Sequence, residues 1–140
     1  MNNLKGTLPD EVSNLGNLTW LVLEHGAVTS TIPESYGSLA LLEKFDMDYQ
    51  ELAGPIPDAF YSLSNLKQLD LNNNTLSGTI STFIGNFKKL GFLQLHGNQM
   101  SGQIPSELGA LAYLSELNVV TYVAICKDFR DFLFFVVVKD

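Results

Sequence analysis

The chain has 140 residues, 46% of them hydrophobic and 16% charged, with a net charge of −7. That length suits one compact domain or a short repeat array, and so apolar a composition excludes a disordered chain. The acidic balance argues against a nucleic-acid partner, which needs a basic stripe to displace counterions. A single cysteine, Cys126, excludes an internal disulfide framework or a Cys-rich zinc site.

In chain order, residues 1–14 hold a partial unit marked by Leu4, Gly6, Leu8 and Pro9. Full units of 24 residues follow at 15–38, 39–62, 63–86 and 87–110, then a degenerate one at 111–122. Leu15, Leu39, Leu63, Phe87 and Leu111 open the units, and Leu18, Leu42, Leu66, Leu90 and Leu114 follow them. An L-x-L step comes next, at Leu21 and Leu23, Phe45 and Met47, Leu69 and Leu71, Leu93 and Leu95, Leu117 and Val119. The second half of the unit ends on Ile32, Ile56, Ile80 and Ile104, with Pro33, Pro57 and Pro105 after them and Ser81 in the third copy. Residues 123–140 are a non-repeat hydrophobic tail. Its Phe132–Val138 run is too short to span a bilayer and has the composition of an aggregating strand.

Alternation in L-x-L puts apolar side chains on one face of a short strand and variable ones on the other. One such strand cannot bury its own apolar face, whereas copies stacked in the same direction share a continuous core. The glycine and proline of each second half exclude a helical array. The period therefore predicts an α/β solenoid with short parallel strands.

Units such as "LSNLKQLDLNNNTLSGTISTFIGN" from Leu63 and "FKKLGFLQLHGNQMSGQIPSELGA" from Phe87 resemble plant-type leucine-rich repeats, which the L-x-G-x-I-P half distinguishes. The resemblance covers about residues 2–122. It implies a right-handed horseshoe with the strands on its concave face. This is the architecture of plant receptor-like kinase and receptor-like protein ectodomains, and of polygalacturonase-inhibiting proteins. It also implies a structural asparagine in each turn, found here as Asn74 and Asn98, with Gly26, Gln50 and Tyr122 at the equivalent positions. Gln50 is expected to reach the asparagine's partners through its extra methylene. Gly26 is expected to need water there, which would loosen the N-terminal half.

The outward positions form rows across successive strands. One reads Trp20, Lys44, Gln68, Phe92, Glu116; the next Val22, Asp46, Asp70, Gln94, Asn118; the third Glu24, Asp48, Asn72, His96, Val120. Trp20 and Phe92 are expected to face solvent as apolar anchors. Glu24, Asp46, Asp48 and Asp70 would gather carboxylates on the same concavity and favour a basic peptide or protein. The candidate ligand face is therefore Trp20, Glu24, Asp46, Asp48, Asp70, Phe92 and His96. Asn17-Leu18-Thr19 and Asn73-Asn74-Thr75 are glycosylation sequons, used only if the chain is secreted.

No catalytic motif, cofactor site or metal-ligand spacing is legible, so no enzyme is expected. The resemblance implies a peptide or protein ligand, or a co-receptor, met at the cell surface by a parent protein in the plasma membrane. No signal peptide or membrane span is legible in the chain itself. Two alternatives remain: a secreted inhibitor like the polygalacturonase-inhibiting proteins, and a truncated gene product without independent function.

Overall fold

In the computed structural model, which describes residues 4–119, nine short strands alternate with five 3-10 helices. The strands are β1 (Lys5–Gly6), β2 (Trp20–Val22), β3 (Ala27–Val28), β4 (Lys44–Asp46), β5 (Ala53–Gly54), β6 (Gln68–Asp70), β7 (Thr75–Leu76), β8 (Phe92–Gln94) and β9 (Glu116–Asn118). The L-x-L strands form one parallel sheet in the order β2-β4-β6-β8-β9. Its register pairs Trp20 with Lys44, Gln68 with Phe92, and Phe92 with Glu116, so each rung repeats the residue 24 positions earlier. The second halves of the units make two further parallel pairs, β1-β3 and β5-β7.

Each coil returns through a five-residue 3-10 helix: Asp10–Asn14, Glu34–Ser38, Asp58–Ser62, Thr82–Asn86 and Ser106–Ala110. Extended proline precedes four of them, at Pro9, Pro33, Pro57 and Pro105, and its fixed φ starts the tight helix. Ser81 stands in that place in the fourth. Its backbone N–H, which proline would lack, donates to the Tyr61 hydroxyl at 3.4 Å, and its Oγ accepts from the Phe83 N–H. The departure from proline is thus matched by a local hydrogen bond. Gly37 lets two helices meet, because a Cβ there would run into the Ala59 carbonyl oxygen. Gly54, Gly78 and Gly102 take left-handed φ of 75°, 80° and 89° to turn the chain before each isoleucine.

The core is a single column. Leu39, Leu63 and Phe87 are fully buried, as are Leu42, Leu66 and Leu90, and Phe45, Leu69 and Leu93. Aromatic rings run through it edge to face, Tyr36 to Phe45 at 6.4 Å, Phe45 to Phe60 at 5.0 Å, and Phe60 to Phe87 at 6.3 Å. The first rung is open: Leu15, equivalent to buried Leu39, is 55% exposed. No helix among the described residues is long and apolar enough to cross a membrane. The tail at 123–140, Tyr122 and Val120 lie outside the described residues.

Candidate ligand-binding face

The outward side chains of β2, β4, β6, β8 and β9 line up as the period requires, since strand pairing without slip keeps every outward residue on one face. Asp46 pairs with Asp70, and Asp70 with Gln94. What differs from the sequence expectation is their exposure. Asp46 is 4% exposed and Asp70 9% exposed, so both lie recessed between their row neighbours. Phe92 is half-buried as well, while Trp20 on the open first rung is 66% exposed and Glu24 is exposed. Alternation fixes the direction of a side chain but not how far its neighbours cover it.

The recessed carboxylates have few donors. Asp46 Oδ2 takes the Lys44 ammonium at 3.1 Å, and its Oδ1 is buried without a partner. Asp70 Oδ1 accepts from the backbone N–H and the side-chain Nδ2 of Asn72. Burial, with help from the Asp46 charge, pushes the Asp70 carboxyl up to about 6 against the pull of the Asn72 N–H. Burial also raises Asp48, again with the Asp46 charge adding to it. His25 Nδ1 stands 3.8 Å from Asp48 Oδ1, close enough to pair when the imidazole is protonated.

Two residues of this face escaped the sequence reading. His25 and Tyr49 stack ring on ring at 4.7 Å with an angle of 11°, and Tyr49 is 50% exposed. Both are left-handed, at φ 54° and 48°, as is Asn73 at 53°. The backbone N–H groups at these positions donate to the next coil, His25 to Asp48, Tyr49 to Asn72, and Asn73 to His96. Coil stacking therefore holds a conformation that costs bulky residues on the order of 1 kcal/mol or more. The signal was present: positions 25, 49 and 73 lead at the same spacing to Gly97, the residue type that takes positive φ freely. His96 carries a buried Nδ1 without a partner.

The asparagine turn is built as expected at two coils. Asn74 Oδ1 accepts from Leu52 N–H at 2.9 Å and its Nδ2 donates to the Met47 and Leu71 carbonyls. Asn98 repeats this with Leu76, Leu71 and Leu95. Gln50 repeats it too, accepting from Val28 N–H at 3.1 Å and donating to the Leu23 carbonyl. Gly26 makes the room: a Cβ on it would lie 2.6 Å from Gln50 Oε1. The glutamine of the next coil reaches the Leu23 carbonyl, so that one group needs no water beside Gly26.

Of the two sequons, Asn17 is exposed, whereas Asn73 is half-buried with its Nδ2 donating to Asn72 Oδ1. No group of three or more His, Cys, Asp and Glu among the described residues could hold a metal ion.

Comparison with known proteins agrees with this architecture. Residues 65–87 and 89–111 match the family model described as Leucine Rich Repeat. No curated protein matches the sequence. Among solved structures, the chain is similar to the plant peptide hormone receptor RGFR1 in complex with RGF2, at 28% identity and a TM-score of 0.84, over 86% of this chain and 19% of that one. It is similar to the Arabidopsis receptor kinase HAESA in complex with the peptide hormone IDA and the co-receptor SERK1, at 34% identity and a TM-score of 0.78, over 84% and 20%. The ectodomain of the receptor kinase SOBIR1 from Arabidopsis thaliana matches at 32% identity and a TM-score of 0.75, over 79% and 59%. The chain thus spans about a fifth of the length of the first two receptors.

Proposed function

We propose that this chain, an array of plant-type leucine-rich repeats similar to receptor-kinase ectodomains, binds an extended basic peptide or protein segment along its concave face. The observation that carries the reading is the recessed acidic row of Asp46 and Asp70 with an exposed aromatic ring on either side of it, Trp20 level with Lys44 and Tyr49 stacked on His25. An aromatic anchor supplies affinity, and a carboxylate row supplies charge selection and faster encounter. Glu24, Asp48 and His96 flank that row, and Phe92 contributes the part of its ring left uncovered. The similar receptors are solved with peptide hormones and a co-receptor, which favours a peptide or co-receptor partner at the cell surface over an enzyme substrate. In that setting Asn17 is the better of the two glycan acceptors, and a glycan at Asn73 would crowd the binding face.

A binding titration against matched basic, neutral and acidic peptides at low and moderate salt tests the reading. The expected result is binding of basic peptides that weakens with salt and falls about tenfold or more in Trp20→Ala. Binding of no peptide, or a preference for acidic ones, would overturn it.

A further inference from the structure

Three oxygens on the row through β4, β6, β8 and β9 are buried and have no donor among the described residues: Asp46 Oδ1, Gln94 Oε1 and Asn118 Oδ1. Gln94 is 7% exposed and commits its Nε2 to Glu116 Oε1 at 2.7 Å, which leaves its carbonyl oxygen on the same face as the Asp70 carboxyl. Between Gln94 and Asp46 sits Asp70, in register with both. Buried acceptors without donors are costly, and a row of them is a row of places for N–H groups. Among the described residues one ammonium reaches the row from within, that of Lys44 at Asp46 Oδ2.

We infer that the Asp46–Asp70–Gln94 row is a subsite for the guanidinium of an arginine side chain on the bound partner. This rests on the reading of the concave face as the binding face, and names what that face selects. A guanidinium fits better than an ammonium for two reasons. Neighbouring rungs lie about 4.8 Å apart, so a planar fork with five N–H donors can serve two rungs at once. Its weaker hydration also lowers the cost of entering a recessed row. A metal ion suits the row poorly, since no such cluster of ligands converges among the described residues.

The surrounding charges agree. Lys44 and Asp48 flank Asp46 on its own coil, Glu24 and His25 stand on the coil before, Asn118 closes the row on β9, and Glu116 reaches Gln94 from the row beside it. Carboxylates outnumber cations there, and the raised Asp70 carboxyl reports a site that gains from an added positive charge. Lys44 is the tethered competitor: it must leave Asp46 Oδ2 before a guanidinium can take both carboxylate oxygens.

The test uses the full chain with 13C-labelled aspartate carboxyls, titrated with argininamide, lysinamide and the neutral isostere citrulline amide. Argininamide is expected to shift the Asp46 and Asp70 signals and to move the Asp70 titration midpoint downward. Lysinamide should bind at least fivefold more weakly, and citrulline amide should leave both signals in place. Asp46→Asn and Asp70→Asn should each weaken argininamide at least fivefold, while Glu34→Gln on a return helix should not. Lys44→Met should strengthen it, a gain that a merely misfolded variant would not produce. Equal responses to argininamide and lysinamide, or shifts confined to other aspartates, would overturn the subsite. A face that binds basic peptides yet ignores argininamide overturns the subsite alone. Argininamide seated on the row with no peptide bound supports the subsite and overturns the peptide reading.

Discussion

Asp70 shows how a residue's meaning depends on its cover. Its carboxyl lies near 6, above the ordinary carboxylate value near 4, so between those values the folded chain holds a proton that the unfolded chain has released. The stability this provides is complete below about pH 4 and is lost as pH rises through 6. Asp70→Asn removes the cost of ionisation and keeps an oxygen for the Asn72 donors. It is expected to stabilise the fold by roughly 1 to 3 kcal/mol at pH 7.5 and to change little at about pH 3.5. Urea melts at the two values decide it, and a variant no more stable than the parent at pH 7.5 would defeat the argument. On the proposed reading of the concave face, this is a conflict between stability and function, with a poorly satisfied charge standing where a partner would satisfy it.

Among the elements, the turn after each L-x-L strand carries the coil-to-coil hydrogen bonds, and Gly26 and Gln50 show how two departures from the pattern can compensate. The glutamine fills the space the glycine leaves and serves the partners that an asparagine serves elsewhere. Gly26→Asn alone should clash with Gln50, and Gln50→Asn alone should leave the space beside Gly26 unfilled. Each is expected to cost about 1 to 2 kcal/mol. The double variant, which restores the regular asparagine at both positions, should be more stable than either single one. A double-mutant cycle with no coupling between the sites would remove the compensation.

For the molecule as a whole, a solenoid's stability is a sum of coils and contacts between neighbours, so one repeat position has different values along the array. Leu63 is fully buried while Leu15 is 55% exposed, although the pattern makes them equivalent. Leu63→Ala is expected to cost about 2 to 5 kcal/mol, and Leu15→Ala about 1 kcal/mol or less. Denaturant midpoints of the two variants check this, and equal losses would mean that the first coil is covered in solution. The open first coil also leaves Trp20 uncovered on the end strand of the sheet.

The spacing of 24 determined the solenoid, its parallel register and the rows of its outward face, because L-x-L alternation and strand pairing leave one arrangement that buries the repeat leucines of the inner coils. Asn74 and Asn98 were legible through the resemblance to leucine-rich repeats, and the structure sets each amide beside the equivalent carbonyl of the coil before. The depth of Asp46 and Asp70, the half-burial of Phe92 and the stacking of His25 on Tyr49 were decided by the tertiary structure. Cover comes from the side chains of the coils on either side, 24 residues away in each direction. Their sizes and rotamers act together only once the coils are stacked. The exchange between Gly26 and Gln50 has the same origin, since the vacancy of one matters only when folding brings the reach of the other into it.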